Sequence, residues 1–133
     1  MTSLNKSVYD ALINTSLNDV FQAAKDLAPI IKKTELMESP YFSKECNNQV
    51  YLKPENLQIT GAFKIRGAFN KINKLTTTEK DRGVIAASAG NHAQGVAYAS
   101  KLLGVNATIV MPATTPIIKV EATKEHGATV VLF

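Results

Sequence analysis

The chain has one cysteine, Cys46, among 133 residues. A single thiol excludes an internal disulfide and any zinc or iron–sulfur site built from several cysteines, and it fits a reducing compartment. No apolar run approaches the roughly 18 to 20 residues of a membrane span, and the polar start Met1 to Asn5 lacks the basic-then-apolar pattern of a secretory leader. The expectation is a soluble cytoplasmic protein without membrane contact. Lys and Arg number 15 against 11 acidic residues, and no block of five or more like charges occurs, so the net +4 gives nucleic-acid binding no support. Gly83, Gly90 and Gly95 do not form a dinucleotide fingerprint, and there is no phosphate loop ending in Gly-Lys-Ser or Gly-Lys-Thr. His92, His126 and Cys46 lack ligand spacing, so no metal is expected. Nor is there a linker rich in Gly and Ser. With 45% apolar residues at this length, one core is the ceiling.

What is present is periodic. Met1 to Thr15 has no firm period and reads as a mobile arm or weak helix. Ser16, with Asp19 three residues on, opens a capped amphipathic helix whose Val20, Ala23, Ala24 and Leu27 share a face before Pro29. Gln49 to Lys53 reads as a strand ending at Pro54, and Ile65, Ala68, Phe69, Ile72 and Leu75 repeat at helical spacing. The unit then recurs. Val84 to Ala87 is an apolar run, and Asn91 can cap a helix that buries Ala93, Val96, Ala97 and Leu103 before Gly104 ends it. Ala107 to Met111 is a further strand, Thr115 and Pro116 suit the N-cap and first turn of a helix closed by Gly127, and Ala128 to Leu132 is the fourth strand.

Alternating strands and helices predict an α/β fold: an open parallel sheet with right-handed crossovers, covered on both faces because its strands are unbroken apolar runs. Residues 1–48 are expected to form an arm and helix, and 49–133 a small α/β domain. Ligands of open sheets bind beyond the carboxyl ends of the strands. The loops Pro54 to Phe63, Ser88 to Asn91 and Pro112 to Thr115 should therefore lie near one another.

Two of these loops carry reactive types. Lys64 starts the helix beside core position Ile65, where the positive end of the helix dipole disfavours an ammonium and leaves more free amine to attack a carbonyl. An ordinary solvated lysine fits the same position. Ser88-Ala89-Gly90-Asn91-His92 joins a buried strand to a helix, where backbone N–H groups and polar side chains suit a carboxylate. An ordinary N-cap would look much the same. Phe63 can cover a flat ring or fill the core, and Arg66 can pair with Glu55 at the surface or steer an anion.

Together the segments are far more specific. Lys53-Pro54-Glu55-Asn56-Leu57-Gln58 leading to Lys64, then Ser88 to Gly95, then Met111-Pro112, Pro116, Lys119 and Gly127-Ala128 resemble, in order and spacing, the pyridoxal-phosphate-dependent threonine and serine dehydratases. The same family contains serine racemase. The likeness spans roughly Ser16 to Phe133.

The resemblance implies the smaller domain of a two-domain enzyme, with pyridoxal 5'-phosphate as cofactor and an amino acid as substrate. Lys64 would hold the cofactor and act as catalytic base, Phe63 would lie against its ring, and Asn91 would bond its phenolic oxygen. Ser88, Gly90, Asn91 and His92 would bind the substrate carboxylate. Ile65 directly after the lysine matches the dehydratase and racemase branch, not the sulfur-transfer branch. Ala89, where racemases carry a serine, favours elimination over racemisation. Ala62 departs from the family's usual serine. The glycine-rich phosphate loop and the group that bonds the pyridine nitrogen lie, in that family, downstream of any residue here, so the chain is expected to be the N-terminal part of a homo-oligomeric threonine dehydratase and inactive alone. The alternatives are a non-enzymatic truncated or partner-binding fragment and a serine dehydratase or racemase; isoleucine biosynthesis and catabolism both stay open.

Overall fold

The computed structural model describes residues 14–133, so most of the arm expected over Met1–Thr15 lies outside the described residues. The chain divides into two compact units, one ending at Ile30 and one running Ile31–Phe133. In the first, α1 (Leu17–Leu27) starts with the expected capping box: Ser16 Oγ accepts the Asp19 N–H, and Asp19 accepts the Ser16 N–H. Leu27 is buried, whereas Leu17, Val20 and Phe21 are exposed.

The larger unit opens with β1 (Met37–Glu38), α2 (Pro40–Cys46) and β2 (Tyr51–Leu52). Here the structure corrects the reading of 49–53 as a strand of the parallel sheet. β2 pairs antiparallel with β1 in a separate two-stranded ribbon, Met37 opposite Leu52 and Glu38 opposite Tyr51. A short 3-10 turn (Glu55–Leu57) then leads into α3 (Lys64–Asn73), followed by α4 (Thr77–Arg82).

The parallel sheet has three strands in the order β3 (Val84–Ala87), β4 (Ala107–Met111), β5 (Thr129–Leu132). α5 (Asn91–Leu103) and α6 (Ile117–Glu125) are the crossovers. Strands added successively on one side through right-handed crossovers place both helices on one face. That face carries Ala107, Ile109 and Met111, all buried, and α3 packs against α5 and buries Ile65, Ala68, Phe69 and Ile72. The opposite face is open: Ile85 is 78% and Val131 44% exposed. Coverage of both faces is therefore not observed, because the apolar runs that predicted it reflect β-propensity as much as burial. No described helix is long and apolar enough to cross a membrane.

Two helix starts are shifted by one residue. Asn91 is the first helical residue of α5 and not its cap: Gly90 holds the cap position, its carbonyl accepting the Gln94 N–H, and no side chain caps the helix. Similarly, Pro116 and not Thr115 is the N-cap of α6, because the Thr115 N–H is turned back to the Pro112 carbonyl while Pro116 accepts from Lys119. Gly104 and Gly127 end α5 and α6 at φ 66° and 90°, conformations favourable for glycine.

Candidate active site

Lys64 is the first residue of α3, exposed, with its Nζ 4.8 Å from the centre of the Phe63 ring. The ring is itself 56% exposed, so the core-filling alternative does not apply to it. The next residue, Ile65, is fully buried and anchors the turn. The amine thus stands at the edge of the core, facing solvent.

The asparagine loop is brought to this turn by a glycine. A Cβ on Gly95 would lie 3.0 Å from the Lys64 carbonyl carbon, 3.1 Å from the Ile65 nitrogen and 3.2 Å from the Lys64 Cβ. The backbone at Lys64 therefore sits directly on α5 at Gly95. Asn91 lies one turn earlier on the same face of α5, and both Asn91 and His92 are exposed. Ser88 Oγ accepts the Gly90 N–H at 3.3 Å, folding the loop, and the Ser88 N–H is tied to the Val110 carbonyl. At the same end of the sheet, Ala113 N–H bonds the Phe133 carbonyl.

These contacts tie the start of α3 to α5, the Ser88 loop to β4, and the loop after β4 to Phe133 at the end of β5. The first helical bond of α5 is Gln94 N–H to Gly90, so the N–H groups of Asn91, His92 and Ala93 are free of helical partners and available to an anion. His92 also lines an apolar groove of about 290 Å³ with Gly67, Ala68, Lys71 and Val96. Lys64, Phe63, Ser88, Gly90 and Asn91 do not line that groove, so of the candidate site residues His92 alone reaches it.

One feature escapes the sequence reading: Gly95 has a steric role, and a glycine inside a helix, which costs about 1 kcal/mol against alanine, points to a close approach. The Arg66–Glu55 pair that the sequence suggests is present but is not a loose surface pair: Nε and Nη2 of Arg66 donate to the two carboxylate oxygens at 2.9 and 2.7 Å. Their side chains are 32% and 16% exposed. The guanidinium holds the Glu55 carboxyl down to about 2, helped by the Thr34 hydroxyl and opposed by partial burial.

The family model described as "Pyridoxal-phosphate dependent enzyme" matches residues 27–133. The chain is 55% identical over 118 residues to the L-threonine dehydratase catabolic TdcB of Staphylococcus aureus, covering 88% of this chain and 34% of that one. Among solved structures, serine racemase from Dictyostelium discoideum is 38% identical with a TM-score of 0.84, covering 89% of this chain and 38% of its own. Threonine deaminase isoform 2 from Solanum lycopersicum is 40% identical with a TM-score of 0.74, covering 90% and 36%. The chain spans about a third of the length of the curated relatives it matches. Matched over residues 27–133 by that family model, the chain belongs to the pyridoxal-phosphate-dependent enzyme family.

Proposed function

We propose that this chain supplies the lysine and the carboxylate-binding loop of a threonine dehydratase, which converts L-threonine to 2-oxobutanoate and ammonia and L-serine to pyruvate and ammonia. The observation that carries the reading is the seating of the Lys64 turn on Gly95, one helical turn from Asn91.

The residues present fit one end of pyridoxal 5'-phosphate. An exposed amine at a helix start, an exposed aromatic face beside it and an amide side chain one turn away suit an aldehyde, a flat ring and its phenolic oxygen respectively. When bound, the cofactor supplies an electron sink for the charge left at the substrate α-carbon. The chain's own residues do the rest. The unbonded N–H groups at the start of α5, with Ser88 beside them, hold the substrate carboxylate. This orients the α-hydrogen toward Lys64, whose amine removes it. The β-hydroxyl leaves as water together with a proton, a proton returns to the β-carbon, and water replaces nitrogen at the α-carbon to give the 2-oxo acid and ammonia.

Ala89 offers no hydroxyl on the far side of the α-carbon, which supports elimination over racemisation although racemases are among the structural relatives. The catabolic name of the curated relatives supports a catabolic role over isoleucine biosynthesis. The phosphate of the cofactor has no glycine-rich loop among the described residues, so the 133 residues alone give little turnover. In a full-length cytoplasmic homo-oligomer the same residues act fully.

The test is to mix the chain, and a full-length form, with cofactor and L-threonine and follow 2-oxo acid release. Turnover by the full-length form that vanishes on Lys64→Ala is the expected result; unchanged turnover in that variant refutes the assignment. Formation of D-serine from L-serine would establish the racemase reading instead.

A further inference from the structure

The Lys64 side chain has no hydrogen bond or ion pair among the described residues; it rests only over the Phe63 ring. Its direction is set by the backbone turn that carries it. The structure assigns that task to the Glu55–Arg66 pair, which we propose is a positioning device for Lys64; the inference rests on Lys64 being the reactive amine.

Arg66 is the third residue of α3, two residues beyond Lys64, and Glu55 opens the 3-10 turn on the other side of the intervening loop. Their two-pronged pairing closes the loop across its base. A fork-on-fork contact fixes orientation as well as distance, because a guanidinium and a carboxylate are both planar. The Thr34 hydroxyl donates to the same carboxylate at 2.8 Å, and the Lys53 ammonium donates to the Thr34 carbonyl. Gln58, only 3% exposed, exchanges two bonds with the Lys32 backbone, its Oε1 accepting at 2.8 Å and its Nε2 donating at 2.9 Å.

Three segments are thereby held together: 32–34, 53–58 and the first turn of α3. Inside the loop, Gly61 N–H bonds the Gln58 carbonyl at 2.8 Å and Arg66 N–H bonds the Phe63 carbonyl at 3.0 Å. Phe63 and Lys64 lie between these braced points. With both oxygens and the guanidinium engaged in the pair, Glu55 and Arg66 position Lys64 and do not themselves touch substrate.

Arg66→Lys keeps the charge but removes the fork, and Glu55→Gln keeps the shape but removes the charge. The first readout is hydrogen exchange at the Gly61 and Arg66 amides, which reports the brace directly. The second is borohydride-fixed attachment of pyridoxal 5'-phosphate, mapped to individual lysines. The chain's other lysines are internal controls, since a general loss of structure changes labelling everywhere and a positioning loss changes it at Lys64.

Each variant is expected to raise exchange at both amides and to lower the preference for Lys64 by about tenfold, the scale of one hydrogen bond to a charged group. Wild-type preference retained in both variants overturns the proposal. If the wild type itself shows no preference for Lys64, the assignment of that lysine fails, and exchange alone then decides the brace. Unchanged protection in Arg66→Lys overturns it, and a tenfold loss upholds it.

Discussion

Replacing Gly95 with alanine puts a methyl group where α5 has no room. The new Cβ would meet the Lys64 carbonyl carbon at 3.0 Å, the Ile65 nitrogen at 3.1 Å and the Lys64 Cβ at 3.2 Å. Two of these are backbone atoms, which cannot swing aside as a side-chain end would. Ile65 is completely buried and holds that backbone in place. Overpacking of this kind costs about 1 to 3 kcal/mol, set against a gain of up to about 1 kcal/mol from helix propensity. Because the atoms met are held backbone atoms, the upper part of that range, about 2 to 3 kcal/mol, applies, and the net expectation is a loss of about 1 to 2 kcal/mol, or a urea midpoint lower by roughly 0.5 to 1 M. Gly67→Ala on α3 is the control, because its Cβ would meet no atom within 4 Å. That variant should gain up to about 1 kcal/mol from helix propensity alone. Cofactor attachment at Lys64 should fall in Gly95→Ala and hold in Gly67→Ala. A Gly95→Ala protein as stable as wild type, with Lys64 labelled as before, would refute the claim that this glycine exists to seat the lysine turn.

Other expectations follow from the same contacts. Lys64→Ala should abolish borohydride-fixed cofactor at this position while leaving the circular dichroism unchanged, since an exposed first-turn residue tolerates alanine; label persisting in the same peptide would show that a different lysine is used. Thr76→Ala removes the side chain that accepts the Glu79 N–H at the start of α4, and should cost about 1 kcal/mol by urea titration. Glu55 is held from its usual 4.5 down to about 2, so its pairing stabilises the fold fully above pH 4.5 and the contribution fades as pH falls toward 2, at most about 3 kcal/mol in all. The stability gap between wild type and Glu55→Gln should therefore be widest near neutrality and close in acid; a gap independent of pH would be contrary to this linkage.

Much of the fold is legible in the sequence where one residue type has one physical use. Of the predicted stripe, Ile65, Ala68, Phe69 and Ile72 are buried while Leu75 lies beyond the end of α3 and is half-buried, and the glycines after α5 and α6 adopt the positive φ their places require. The rest depends on partners distant in sequence. A two-residue strand such as β2 has no alternation to show its neighbour, so its antiparallel pairing with Met37–Glu38 could not be read from 49–53. α4 carries a capping box at Thr76 and Glu79 but no apolar stripe in its six residues, so periodicity does not mark it. Apolar strands look alike whether one face or two is covered, which is why the open side bearing Ile85 and Val131 escapes a pattern argument. At the site, residue types reveal Lys64 and the loop Ser88–His92, whereas the roles of Gly95 and Arg66 depend on what each touches.

The first turn of α3 is restrained from two sides by different physics. On its inner side the absence of a side chain at Gly95 lets α5 press against the Lys64 backbone, so the distance is set by van der Waals contact. On its outer side Arg66 is drawn to Glu55, so the orientation is set by a directional, charge-assisted pair. Neither restraint acts on the amine itself. A reactive lysine has to remain exposed and free of ion pairs if it is to meet a carbonyl, and tying its side chain down would defeat that purpose. Fixing the backbone on both sides while leaving the side chain loose reconciles the two demands, and it explains why the exposed pair Phe63 and Lys64 stands between a buried Ala62 and a fully buried Ile65.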